Sequence, residues 1–449
     1  MTFPQPGGTE HRQVEGRNGQ PHVAVPGELT APVLVFGEGL THLGVIRSLG
    51  RSGIQTYSIA NPADFLVYSR WYHALPQASE AKPDPERLAK FLEGLPFERA
   101  VLMPCSDDWV LAVAGLPACL AKRFPTAMAP REVIEKLLDK WCLALWMQQE
   151  RLPHPRTRLL QSPEMLEELS DEEWAGTFLK PRMSLEFNRR YKTKGCMVKD
   201  REEALQMLRE FSASGFSVML QEFVPGPPTA HYFISGFVDR SGRRCAAFVH
   251  HRQRMHPPRF GNSTCAVSEP LSNVSPAVET LDLLFSKIGY RGIFNAEFKY
   301  DSRDGLFKLL EVNTRPWWYV EFAVRCGVDV VQMAYRDALG FPVEPVQEYR
   351  TGRTCMHMFG DVMAYGELRR NSQANFWKWL SSWWRAEDAF LRWNDPGPAL
   401  GQALAIASRG ICPLRSRLGS QWQAPKQSSV PEIVKTAEAN PNTPVVGDD

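Results

Sequence analysis

Two hydrophobic patterns run through the chain. Short runs rich in apolar residues at Pro32–Phe36 (PVLVF), Ile54–Ala60 and Ala100–Pro104 are bounded by glycine or polar residues and predict buried strands. The first runs into Gly37-Glu38-Gly39 and a helical stretch to about Arg51, so 32–60 reads as a βαβ opening, although Gly44 does not complete a GxGxxG spacing. The third ends in Cys105-Ser106-Asp107-Asp108. Ligands sit at such strand ends in open sheets, but an aspartate capping the helix that begins at Trp109 is the preferred reading. A helical period predicts helices over Arg131–Glu150, Arg201–Ser212, Val274–Ile288, Tyr319–Cys326 and Val330–Leu339. Thr177–Lys180 and Val218–Val224 read as short strands, and Tyr232–Asp239 with Arg244–His250 as a hairpin.

The most informative stretch is 291–315, RGIFNAEFKYDSRDGLFKLLEVNTR. Ile293–Tyr300 and Leu306–Val312 are strand-like, and the Asp301–Gly305 segment between them ends in Asp-Gly, a hairpin signature. Glu297 and Glu311 lie seven positions either side of Asp304. Pairing about that centre sets the two carboxylates opposite each other, with Cβ atoms roughly 5 Å apart. Asn295 and Asn313 share their face by the two-residue period. Facing carboxylates repel unless a cation lies between them, and an oxygen-only ligand set suits Mg²⁺. Arg315 follows, placed to meet an anion held by that metal. The bland alternative is a solvated hairpin with an acidic wet face.

A length of 449 residues exceeds one core and implies about two or three domains. Net charge is only +2, which gives no electrostatic case for a nucleic-acid binder. Nine cysteines, an odd number with no Cys-x-x-Cys, read as reduced thiols. With no apolar run of membrane-spanning length and no apolar signal core, a cytoplasmic protein is expected. Residues 1–30 and 415–449 are polar and expected to be disordered. Phe376–Trp393 reads as a Trp-rich helix whose stripe is a packing face, with a membrane or partner surface as the runner-up. Arg252, Arg254 and Arg259 crowd a Pro-Gly loop, and Arg254 is the candidate grip on phosphate or a substrate carboxylate. A zinc site from His250, His251 and His256 is disfavoured, because adjacent strand residues point to opposite faces.

NAEF, then LLEVNTRPWW, then a helix ending in GVDVV resembles the metal-binding end of the ATP-grasp superfamily. The nearest members are the carbamoyl-phosphate synthetase large chain and the carboxylate–amine ligases of the D-aspartate ligase kind. The resemblance covers about 31–345. It implies an α/β and α+β chain: a Rossmann-like pre-ATP-grasp domain at 31–130, a two-lobed ATP-grasp domain at 131–345, and a Trp-rich helical extension at 346–414. It makes Glu297 and Glu311 ligands of two Mg²⁺ ions (Mn²⁺ as a substitute), Asn313 a third ligand and Arg315 a phosphate contact, with Asn295 and Arg254 beside the reacting groups. Lys140 and Lys180 become the ATP lysines, and Gln221-Glu222-Phe223-Val224 the adenine hinge. Segment 182–194 takes the place of a mobile phosphate loop, but it lacks glycine and carries Arg189, Arg190, Lys192 and Lys194 instead. The implied function is an ATP- and Mg²⁺-dependent ligase joining a small-molecule carboxylate to an amine, amino acids among the candidates, through an acyl-phosphate. No nucleic-acid partner is expected, membrane attachment is disfavoured, and a homodimer is left open. The rival readings are an ATP-binding regulatory protein without turnover and an ATP-dependent carboxylase using bicarbonate.

Overall fold

The computed structural model describes residues 31–59, 64–257, 261–370 and 375–411. The two polar tails, 1–30 and 415–449, and Arg259 lie outside these residues. Three sheets organise the described chain. In the first, β1 (Val33–Phe36) lies between β2 (Thr56–Ser58) and β3 (Val101–Pro104), all parallel. Every residue of β1 is buried, as a central parallel strand covered on both faces requires. The following helix, Gly39–Arg51, packs on helix Val320–Cys326. Gly44 permits that approach, because a Cβ there would lie 2.7 Å from Val320 Cγ1. Its role is close packing.

The helix expected over Arg131–Glu150 is broken into Arg131–Leu138 and Lys140–Gln149. Asp139 is extended, and its carboxylate accepts from the backbone N–H of Trp141 and Cys142. A short acceptor side chain competes with the helical ladder in this way and starts a new helix. Lys140 therefore opens the second helix rather than sitting mid-helix.

The second sheet is antiparallel, with β4 (Thr157–Leu160) and β5 (Thr177–Pro181) flanking β6 (Val218–Glu222). It has its own apolar core with helices Ser184–Tyr191 and Arg201–Ala213. The basic segment expected as a mobile loop is thus largely helical. Phe187 is buried edge-on against Phe211 and Phe216, and Tyr191, four residues on, joins the same cluster. Two aromatic residues at this spacing hold one helical face to the core.

The third sheet contains β7 (His231–Val238), β8 (Arg244–His256), β9 (Asn262–Glu269), β10 (Gly292–Asp301), β11 (Leu306–Asn313), β12 (Thr354–Met356) and β13 (Ala386–Asp388). Their order across the sheet is β11-β10-β7-β8-β9-β12-β13. The stretch beyond 345, expected to be helical, supplies the last two strands. β12 pairs antiparallel with β9, and β13 parallel with β12. The backbone groups along the edge of β9 are met in this way rather than left open. The Trp-rich helix consequently ends at Trp384, not near Trp393. Trp379 and Trp383 turn inward and donate their indole N–H groups to the buried Asp361 carboxylate at 2.8 and 3.0 Å. No helix of the described residues is long and apolar enough to cross a membrane.

Candidate active site

β10 and β11 form the hairpin that the Asp301–Gly305 turn implies, with Glu297 opposite Glu311 and Asn295 opposite Asn313. One extra residue makes this register possible. From the turn outward, Asp301 pairs with Leu306 and Phe298 with Leu309, and then Glu297 pairs with Glu311. Leu310 is a bulge; without it Glu297 would face Leu310. β10 itself runs unbroken against β7, so Asn295, Glu297 and Lys299 share one face.

That face runs beneath two cavities. The first, about 760 Å³ counted to its open mouth, lies between the second and third sheets. Phe178, Lys180 and Gln221 line it from one side, and His231, Arg252 and Lys299 from the other. The second, about 1180 Å³, lies between the third sheet and the N-terminal helix, with Leu40, Phe65, Trp318 and Phe390 among its walls. Asn295, Asn313 and Arg315 line the second cavity, while Lys140, Lys180 and Lys299 line the first. Glu297, Glu311, Arg252 and Lys194 line both. The paired carboxylates mark the place where the cavities meet.

Charge is concentrated there. His231 Nδ1 lies 2.8 Å from Glu297 Oε1, and Arg252 Nη2 donates to the same oxygen at 3.4 Å. Burial alone would raise the Glu297 carboxyl. Arg252, and then the His231 bond, outweigh burial and hold it well below the usual carboxylate range. Lys140 Nζ stands 3.9 Å from Glu311 Oε2. Asn313 Nδ2 donates to Glu311 Oε1 at 3.4 Å, and Arg315 Nη2 to Asn313 Oδ1 at 3.3 Å. Arg315 Nε also donates to Asp107 Oδ1 at 2.6 Å. Lys180 Nζ donates to Gln221 Oε1 at 2.8 Å, and Gln221 in turn donates to Thr157 Oγ1 at 3.0 Å, which locks the amide. Burial, then the neighbouring Lys140, pushes the Lys180 ammonium down to about 8. Burial, then Arg252, does the same to Lys299, also to about 8. The first cavity presents five cations (Lys140, Lys180, Lys194, Arg252 and Lys299) against three carboxylates (Glu222, Glu297 and Glu311). A polyanion would relieve the repulsion.

Among the described residues, no cluster of three His, Cys, Asp or Glu side chains could hold a metal by itself. Two facing carboxylates with one amide oxygen nearby fit Mg²⁺, which takes one or two carboxylates and completes its octahedron with phosphate oxygens and water.

No protein-family model matches the chain. A D-aspartate ligase from Enterococcus faecium is 23% identical over 259 residues, 56% of this chain and 61% of that protein. The chain thus spans about three fifths of the length of this curated relative. The crystal structure of L-amino acid ligase from Bacillus licheniformis matches with TM-score 0.54 and 19% identity, over 73% of this chain and 79% of that one. The biotin carboxylase domain of Hydrogenobacter thermophilus 2-oxoglutarate carboxylase, solved with MgADP, ADP and bicarbonate, matches with TM-score 0.57 and 19% identity, over 73% and 74%. N5-carboxyaminoimidazole synthetase from Staphylococcus aureus, complexed with ADP, matches with TM-score 0.55 and 12% identity, over 77% and 87%. The fold is the ATP-grasp fold.

Within this ATP-grasp fold, Lys140, Lys180, Gln221, Glu222, Phe223, Val224, Glu297 and Glu311 all line the first cavity. Three expectations change. Arg254 lines neither cavity; it forms a two-pronged ion pair with buried Asp361, at 2.7 and 3.0 Å, and donates to Ser382. The reason is a bulge. Arg252 pairs with Ala266 and Arg254 with Cys265, so Gln253 is extra and the alternation reverses across it. Arg254 therefore points to the helices of the C-terminal stretch, and Arg252 takes the place at the site. Glu222 borders the cavity, but its carboxylate accepts from Arg303, from Lys308 at 3.4 Å and from the Arg156 N–H at 3.1 Å. It clamps the second sheet to the hairpin and is not a free acceptor for a base. Of the two aspartates expected at the helix start, Asp108 Oδ1 accepts from the Trp109 N–H at 3.0 Å, whereas Asp107 is turned to Arg315; burial would raise its carboxyl, but Arg315 holds it low.

His231 and Lys299 are site residues that were not among the sequence candidates, and Arg252 belongs to the Arg cluster expected to grip an anion, although Arg254 was the member chosen from it. For Lys299 the signal was present, since it continues the Asn295–Glu297 alternation. The inward turn of His231 and Arg252 follows from sheet order, which no local pattern encodes.

Proposed function

We propose that this protein is an ATP- and Mg²⁺-dependent ligase that joins a carboxylate to an amine through an acyl-phosphate, releasing ADP and phosphate. The observation that carries this reading is the junction, where one pair of facing carboxylates borders both a cation-rich cavity and a second, larger one. ATP lies in the first cavity, its base near Phe178, Phe223 and Val224. Lys140 and Lys180 neutralise its phosphates, with Gln221 fixing the Lys180 ammonium. Glu297 and Glu311, with Asn313, would hold Mg²⁺, which would supply charge neutralisation to the phosphates when bound. Arg252 and Arg315 approach the junction from either side, where charge builds on the transferred group. An oxygen of the substrate carboxylate attacks the γ-phosphorus, and the bond to the bridging oxygen breaks with its electron pair leaving on ADP. The amine then attacks the acyl carbon, the C–O bond to phosphate breaks, and the amine loses a proton. No side chain acts as nucleophile. The names of two similar proteins, a D-aspartate ligase and an L-amino acid ligase, support trying amino acids as substrates. Bicarbonate as the acid would leave most of the second cavity unfilled.

The bond that breaks tests the mechanism. ¹⁸O placed in the substrate carboxylate is expected in the released phosphate, with ADP and phosphate in equal amounts. Stoichiometric AMP and pyrophosphate would refute it.

Lys180 yields a pH prediction with two opposite signs. Its folded-state value is about 8, and an unfolded lysine titrates at about 10.4. Between these values the unfolded chain holds the extra proton, so the Lys180 contribution makes the nucleotide-free protein more stable as pH rises from about 8 to about 10.4. Nucleotide binding needs the ammonium, so ADP affinity should fall as pH rises through about 8. Titration calorimetry at several pH values, repeated on Lys180→Met, checks it. Lys299, in the same cavity and also at about 8, should leave a shallower slope in the variant; a slope unchanged from the parent would remove Lys180 from the role.

A further inference from the structure

We propose that the acid activated in the second cavity carries a large, flat or branched apolar group rather than a second carboxylate; the inference rests on the ligase reading above. The walls argue for it. The Phe65 and Phe390 rings meet edge-on at 4.8 Å. Phe390 lies 5.4 Å from the His357 ring, which is 5.5 Å from Trp318. Together they make one aromatic surface beside Leu40. Phe390 belongs to the stretch beyond 345, outside the reach of the sequence resemblance. Its position is set: the Phe390 N–H donates to Asp388 Oδ1 at 2.7 Å, and its carbonyl accepts from Arg47 at 2.9 Å.

The charges argue the same way. Among the described lining residues, both guanidinium groups already face carboxylates, Arg252 with Glu297 and Arg315 with Asp107. Lys194 sits at the junction and borders both cavities. A second carboxylate on the substrate would lie against aromatic walls with no spare guanidinium, and an unpaired ion taken out of water is costly. Unmet neutral groups are present instead. The indole N–H groups of Trp317 and Trp318 and Nδ1 of His250 are buried without a hydrogen-bond partner. His250 is stacked between Phe233 and Phe248. Buried polar groups nearly always find partners, so these point to a ligand that brings neutral polar groups or presents its single reacting carboxylate.

Hydroxylamine in place of the unknown amine traps any acyl-phosphate as a hydroxamate: its nitrogen attacks the acyl carbon, phosphate leaves, and a proton is lost. The full chain is incubated with ATP, Mg²⁺, hydroxylamine and one acid at a time, with phenylalanine, tryptophan and leucine set against aspartate, glutamate and glycine. The first group is expected to give a kcat/KM about tenfold or more above the second, the scale of one well-filled apolar pocket. Phe390→Ala and, separately, Phe65→Leu should lower kcat/KM for the favoured acid about tenfold, mainly through KM, with ADP affinity unchanged. Preference for aspartate or glutamate, or two folded variants with unaltered kcat/KM, would overturn the inference and leave the ligase reading standing. Hydroxamate from no acid at all would overturn both.

Discussion

Glu311→Gln is expected to abolish turnover, and Glu297→Gln to lower it roughly 10²–10³-fold, the cost of losing one strong electrostatic stabiliser. The two differ because their surroundings differ. Glu297 is held by Arg252 and His231, with 16% of its side chain exposed, whereas Glu311 is 31% exposed and has Lys140 at 3.9 Å. Glu311 is the freer carboxylate, on the strand that also carries Asn313, and on the proposed mechanism it would be the principal ligand of the metal. Amide substitution keeps shape and removes charge, so the loss should appear in kcat. A second difference follows in the metal-free protein. Glu297→Gln strips the anion from a buried guanidinium and should lower the thermal midpoint; Glu311→Gln should leave it near that of the parent. Phosphate-release rates and thermal unfolding of both variants make the test. Unchanged activity in Glu311→Gln, with wild-type Mg·ATP affinity, would remove the hairpin from the chemistry.

Arg47→Ala should cost about 3–5 kcal/mol of stability, the range for stripping the cation from a buried ion pair. Arg47 is fully buried in the N-terminal helix. Nε donates to Asp395 at 2.9 Å and Nη1 to Glu321 at 3.1 Å, while Nη2 donates to the carbonyls of Phe390 and Asp395. Glu321 would retain Arg51 and Arg392. Asp395, 1% exposed, would keep Ser69 and the Arg70 N–H but no cation in its place. Replacing both partners with apolar residues, as in Arg47→Met with Asp395→Leu, should recover most of the loss, because no charge is then left unpaired. Urea unfolding of the two single variants and the double variant measures the coupling; additive single effects would show that the pair contributes no more than packing. The same arginine positions the Phe390 carbonyl, so Arg47→Ala should also weaken acid binding in the second cavity while sparing the nucleotide.

The acidic hairpin was legible from local pattern alone, whereas the lysine pair and the hinge came from the family resemblance: Lys140 by itself is one lysine in a helical stretch, and Lys180 lies on a separate strand. Alternation placed Asn295, Glu297, Glu311 and Asn313 on a common face, and Asp-Gly marked the turn. Even so, the count from Glu297 to Glu311 works only through the Leu310 bulge, which no residue type announced. Arg252 and Arg254 were indistinguishable along the chain, and one extra residue at Gln253 sent them to opposite faces. The Asp107–Arg315 pair joins residues 208 positions apart. The strands at 354–356 and 386–388 are three residues each, too short to show a period; the first completes the edge of β9 and the second the edge of the first. Local pattern therefore determined which residues carry charge and which face of a strand they share. Bulges, sheet order and long-range ion pairs, whose energies depend on neighbours distant in sequence, decided which of those charges reach the junction and what the second cavity is lined with.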